Sequence, residues 1–278
     1  MPRAKRHFLP GYAWHITHRC HKKEFLLKFE RDRRAWISWL FEAKKRYKLH
    51  VLNYMATSNH VHLLVLDSGE HDTIPRSMQL IAGRTAQEFN QRKQRKGAFW
   101  EDRYHATAVE TNHHLISCLT YIDLNMVRAG AVAHPSEWPS SGYHEIQKPR
   151  ERYSIIDHRL LMDLVRVPSI EALQRAHKTW IEQTLAKAEL VRESKWTDSI
   201  AVGSKNFVET IKGKLGVRAK RRRVSGTDDE SALRDLPTQK SWGRPLIPSP
   251  LVFVSECCRI HNERLVYERI YGIETDTH

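Results

Sequence analysis

The sequence predicts an α+β fold, and three observations carry that expectation. Short segments alternate apolar and polar residues as strands do, longer segments carry apolar stripes at helical spacing, and the two kinds interleave in a definite order. Pro10-Gly11 signals a turn, after which Tyr12 to His18 alternates, with Tyr12, Trp14 and Ile16 on one side. From Asp32 to about Tyr47 the pattern turns helical, with Trp36, Trp39, Leu40 and Ala43 as the buried stripe and Arg and Lys outside. Leu49 to Met55 and Asn59 to Leu66 read as two further strands. Pro75 to about Lys93 reads as a helix on the spacing of Met78, Ile81, Ala82 and Phe89, and Ala106 to Val109 as a short strand. Asn112 then caps a helix that runs to Arg128 and ends at Gly130. The order β-α-β-β-α-β-α is the split βαβ, ferredoxin-like arrangement, one mostly antiparallel sheet with helices on a face.

A TrpProSerSer segment at 138–141 closes this unit, and Pro149 marks a boundary, so residues 1–149 form the first expected domain. Residues 150–278 are expected as a mostly helical, basic extension, with helices from Ser169 to about Arg192 and from Ser204 to Leu215. The basic run Arg218 to Arg223 and the polar, acidic stretch after it read as a flexible linker near 217–240. Leu251 to Tyr271 is expected to form a last helix.

Lys and Arg number 46 against 32 Asp and Glu, a formal charge of +14, and residues 1–50 hold 14 basic and 4 acidic side chains, a local +10. Such an excess favours a polyphosphate partner, because each neutralised phosphate releases counterions. The four cysteines, Cys20, Cys118, Cys257 and Cys258, form no CxxC pair and suit a reducing cytoplasm. The N-terminus has charge but no apolar run, and no stretch approaches the roughly 18 apolar residues of a membrane span. A cytoplasmic protein is expected, with no membrane partner.

His60-Val61-His62 is the first chemical signal. Residues i and i+2 of a strand project from one face about 6.6 Å apart, so two imidazoles can converge on one divalent ion. Tyr121 and Asn125 are the second. Leu115, Leu119, Ile122 and Met126 make the core stripe of their helix, which sets Tyr121 and Asn125, i and i+4, on a neighbouring stripe with Arg128 beyond. Together they offer a phenol nucleophile and three ligands, two imidazoles and an amide oxygen. A metal so held polarises a scissile phosphate, and covalent attachment to tyrosine conserves the phosphodiester energy so that a broken strand is rejoined without ATP.

Other residues weigh less. His15, His18, Cys20 and His21 suggest a second metal cluster, but on a strand His15 and His18 point to opposite faces. Tyr104 and Tyr143 are rival nucleophiles without a helical polar partner. Arg19, Arg103 and Arg128 suit phosphate contacts, His105 suits DNA contact or site support, and Trp100 suits base stacking.

The segments ProGlyTyrAlaTrpHisIleThrHisArg (10–19), SerAsnHisValHisLeuLeuVal (58–65), PheTrpGluAspArgTyrHis (99–105), TyrIleAspLeuAsnMetValArgAlaGly (121–130) and TrpProSerSer (138–141) together resemble the REP-associated tyrosine transposases, relatives of the single-tyrosine insertion-sequence transposases of the HUH nuclease class. The resemblance implies His60 and His62 as ligands of Mg2+ or Mn2+, Asn125 completing the metal site, and Tyr121 forming a 5′-phosphotyrosyl bond. It implies single-stranded DNA as partner, at hairpin-forming palindromic repeats, and hence a place on the nucleoid. Met126 stands where family members often have Pro, and Asn125 where insertion-sequence relatives commonly have Gln. Two other readings share the fold: a non-catalytic DNA-binding regulator, which an absent Tyr or His would favour, and a replication or conjugation initiator, which would bring a helicase module or second tyrosine.

Overall fold

The computed structural model describes residues 9–69, 72–187, 190–191, 193–219 and 222–235. The helix expected at 251–271, and Cys257 and Cys258, lie outside them. Strand β1 (Ala13–Arg19) leads to helix α1 (Glu30–Tyr47), the hairpin β2 (His50–Ala56) and β3 (His60–Leu66), helix α2 (Thr73–Arg92) and strand β4 (His105–Val109). Helix α3 (His113–Asp123) follows, then the short α4 (Asn125–Arg128) and α5 (Tyr143–Gln147). The expected α+β, ferredoxin-like core is present: β2, β3, β1 and β4 lie side by side in that order, all antiparallel.

Local chemistry explains the boundaries. Gly11, at φ 81°, makes the turn into β1, and its N–H donates to Asp67 O at the far end of β3. Asn112 caps α3 by accepting from the His114 N–H, and Gly130 at φ 66° ends the last turn. The helix expected to run unbroken to Arg128 is divided at Leu124, whose ψ of 5° turns the chain. Leu124 packs with Tyr143 and Ile181 in a separate small cluster, so the break follows its burial there. The expected core stripe of α3 and α4 is buried throughout, as are Trp36, Leu40 and Ala43 of α1. Trp39 is only partly buried, with the Arg84 guanidinium over its ring.

After residue 149 come α6 (His158–Val165), α7 (Ile170–Ala186), α8 (Lys195–Asp198), β5 (Ser199–Gly203), α9 (Lys205–Leu215), β6 (Arg222–Gly226) and β7 (Ser231–Asp235). Among the described residues the extension is mostly helical, as expected, and it adds three short strands. β5 pairs in parallel with β4, and β7 and β6 follow it, giving one seven-stranded sheet in the order β2-β3-β1-β4-β5-β7-β6. Of the span near 217–240 expected as a flexible linker, residues 217–219 lie in a 3-10 turn and 222–235 form this last hairpin. Its strands are five residues long and rich in Arg and Ser, too short and polar to show a clear alternation.

The sheet has two differently covered faces. On one, His18 stacks on Trp100, whose indole N–H donates to Ala82 O of α2. On the other, α3 crosses the strands, backed by α7 through a buried polar chain: Asn53 of β2 donates to Asp123 of α3 at 3.1 Å, and His177 of α7 meets the second Asp123 oxygen at 2.8 Å. That anchor lies two residues beyond Tyr121.

Candidate functional site

The strand register gathers the site on the α3 face. Thr17 of β1 stands opposite His62 of β3 and Arg19 opposite His60, so His15, Thr17 and Arg19 share a face with both histidines. Val61 points the other way and is buried. From α3, Tyr121 brings its ring to 5.9 Å from that of His62, and Asn125 sets its amide nitrogen 3.1 Å from His62 Nε2. Asn125 stays on the tyrosine's side across the break at Leu124. Arg128 spans it, with its guanidinium 4.5 Å above the Tyr121 ring and one N–H donated to Tyr121 O at 2.6 Å. Tyr121 is 3% exposed, covered by Arg128 and by Trp196, whose ring lies 6.0 Å away.

Hydrogen-bond partners decide which ring nitrogens carry lone pairs, an assignment that rests on the acceptors present. His60 Nδ1 is 2.7 Å from Asn59 Oδ1 and 2.9 Å from Thr57 Oγ1; the amide oxygen accepts only, so Nδ1 donates and Nε2 is the lone-pair nitrogen. His15 Nδ1 donates to the Trp196 carbonyl at 3.0 Å, which leaves His15 Nε2 to accept from His62 Nδ1 at 2.9 Å. His62 then presents its Nε2 lone pair toward Asn125. Burial holds both rings neutral: His15 is lowered to about 3, and His62 well below the ordinary imidazole value.

These groups fit a divalent ion. With the Asn125 amide turned so that its oxygen faces His62, two acceptors oppose each other across 3.1 Å. That matches the spacing of about 3 Å between neighbouring ligands around an octahedral hard cation. Among the described residues no group of three or more His, Cys, Asp or Glu is arranged to hold a metal. The donor set is completed by one amide oxygen, that of Asn125.

The other sequence expectations separate. His105 directs Nε2 to Ser199 O at 2.8 Å and so grips β5. Arg19, about two-fifths exposed, lies 3.9 Å from Glu101. Arg103 lies in the bend between Trp100 and β4. Trp100 is stacked on His18 at 4.1 Å and bonded to α2. The second metal cluster does not assemble, because His18 is on the Trp100 side while His15 faces α3, and burial pushes the Cys20 thiol up to about 12. Tyr143 is packed against Leu124 and Ile181, and Tyr104 stands edge-on to His18. Sequence reasoning missed the His15 bond to His62 and everything Trp196 contributes. The only available signal was His15's place on the HxH face, which needs the strand register to be seen.

Residues 10–125 match the family described as Transposase IS200 like, a segment of less than half of the chain. Among solved structures, that of a REP-associated tyrosine transposase bound to a REP hairpin is 20% identical with a TM-score of 0.45, over 56% of this chain and 90% of that one. A transposase-like protein from Deinococcus radiodurans is 15% identical with a TM-score of 0.30, over 38% of this chain and 84% of that one. No curated protein matches. No helix among the described residues is long and apolar enough to cross a membrane.

Proposed function

We propose that this chain is a metal-dependent transposase that cuts and rejoins single-stranded DNA through a covalent link to Tyr121, at hairpin-forming repeats. The observation that carries the reading is the convergence of Tyr121, His62 and Asn125 inside a segment that matches the IS200-like transposase family. Nε2 of His60, Nε2 of His62 and the amide oxygen of Asn125 would hold Mg2+ or Mn2+. Bound there, the ion supplies Lewis-acid polarisation of the scissile phosphate and offsets its developing charge.

The remaining work falls to side chains. The Tyr121 phenol gives up its proton to solvent and its oxygen attacks phosphorus; a Tyr–O–P bond to the 5′ phosphate forms, the P–O3′ bond breaks, and the leaving 3′ oxygen takes one proton from solvent, so that the step balances. Attack by a 3′ hydroxyl reverses these steps and restores the strand. Arg128, stacked on the ring and tied to the Tyr121 carbonyl, fixes the position of the phenol. Because Tyr121 is covered, a phosphate reaches it only when that cover yields. Arg19 and Arg103 are proposed as phosphate contacts flanking the site, whereas His105 acts by holding Ser199.

The full chain, incubated with labelled hairpin single-stranded DNA and Mn2+, should form an adduct that survives denaturation. Tyr121→Phe should bind the hairpin as tightly yet form none, and chelator or His60→Ala should abolish cleavage by the wild type. An adduct persisting in Tyr121→Phe refutes the nucleophile. Tight binding without any adduct in the wild type supports the non-catalytic regulator instead.

A further inference from the structure

We propose that His15 is the positioning residue of this site: clamped by the main-chain carbonyl of Trp196, it dictates which nitrogen of His62 faces Asn125. The inference rests on the metal reading above for its consequence, but not for its geometry.

The three groups form a directed chain. A carbonyl oxygen only accepts, so the 3.0 Å contact fixes the proton of the neutral His15 ring on Nδ1. Its Nε2 then only accepts, so His62 must donate from Nδ1 across 2.9 Å. The two rings are parallel to within 7°, which keeps that bond in both ring planes. The opposite tautomer of His62 would set two lone pairs against each other in a place where His15 is 0% and His62 1% exposed. Only the tautomer with the proton on Nδ1 turns a lone pair toward Asn125. A ligand imidazole whose far nitrogen is fixed by an acceptor is held in orientation and made more basic.

The clamp comes from outside the family segment. Trp196 lies on α8, beyond residue 125. Its side chain is 0% exposed, and its indole N–H donates to Glu193 at 3.2 Å. β4 grips the same stretch, Thr107 donating to Ser199 O at 2.6 Å and His105 meeting it at 2.8 Å. The carbonyl that sets His15 is thus pinned from both sides, and the C-terminal half of the chain completes a site whose reactive groups all lie in the N-terminal half.

The test uses the full chain with 15N-labelled histidine. Long-range proton–nitrogen spectra of the wild type should show both His15 and His62 protonated at Nδ1. His15→Gln keeps an acceptor for His62 and a donor for Trp196, so the His62 tautomer and Mn2+ affinity should stay close to wild type. His15→Phe keeps the flat ring but neither hydrogen bond; His62 should then lose its single tautomer and Mn2+ affinity should fall about 10- to 100-fold, with the circular dichroism of the folded state retained. A wild-type His62 protonated at Nε2 overturns the proposal, as does a His15→Phe protein with unchanged tautomer and affinity. If His15→Phe fails to fold, the wild-type spectrum and the Gln variant still decide. If the wild type binds no Mn2+, the metal reading fails while the spectra still decide the relay.

Discussion

Cutting the chain after residue 149 removes α7, α8 and β5 while leaving every proposed reactive group in place. Three losses on the retained part can be sized. Trp196 is wholly buried, and an indole side chain covers 150–250 Å², so uncovering the surface it packs on costs about 4–6 kcal/mol. Asp123, 0% exposed, loses His177, and a buried charge stripped of its partner costs about 3–5 kcal/mol. His15 loses its carbonyl acceptor in a buried place, about 1–3 kcal/mol. The sum, about 8–14 kcal/mol, is as large as the whole stability of an ordinary domain, about 5–15 kcal/mol. The 1–149 fragment should therefore lack a cooperative urea transition and give collapsed amide spectra, while residues 1–235 unfold cooperatively. A 1–149 fragment with dispersed spectra and a cooperative transition near that of the full chain would refute this reasoning and make the N-terminal unit an independent domain.

Smaller perturbations probe the same contacts. His177→Leu should lower stability by about 3 kcal/mol or more in urea denaturation, and a loss under about 1 kcal/mol would mean that Asp123 does not depend on it. Acid should destabilise the protein through His15. Its folded value of about 3 lies below the unfolded 6.5, so its stabilisation is present above pH 6.5 and lost as pH falls from 6.5 toward 3. At 1.36 kcal/mol per decade the full loss is about 5 kcal/mol, and His15→Phe should flatten that part of a stability-versus-pH curve. Arg128→Gln removes a charge-assisted bond of about 1.5–3 kcal/mol and should slow adduct formation roughly 10- to 100-fold; an unchanged single-turnover rate would leave Arg128 outside the chemistry.

The first 130 residues were legible because each element carries a strong local signal. Apolar stripes marked α1 and α2, Asn112 and Gly130 punctuated α3, and the strand order implied the pairing β2-β3-β1-β4. β5, β6 and β7 were not legible. SerIleAlaValGly is buried on nearly every residue, so it lacks the alternation that betrays a half-exposed strand. The edge hairpin is Arg- and Ser-rich, and its composition imitates a linker. Parallel pairing of β5 with β4 is also nonlocal, a contact between residues about ninety positions apart that no window of sequence contains.

The candidate site divides along the same line. HxH and the Tyr–Asn pair could be read as spacing, because a strand and a helix turn fixed sequence intervals into fixed directions. The relay through His15 could not, since it needs the register that sets β1 beside β3 and the fold that brings residue 196 over residue 15. Its last link is harder still. Trp196 acts on His15 through its main-chain oxygen, an atom that every residue possesses, so no side-chain pattern announces it. What the indole does contribute is permanence: buried and bonded to Glu193, it keeps the carbonyl where His15 can use it. Replacing Trp196 should thus disturb His62 without removing a single atom that touches it, whereas a substitution at an exposed position of α8 should leave the tautomer unchanged.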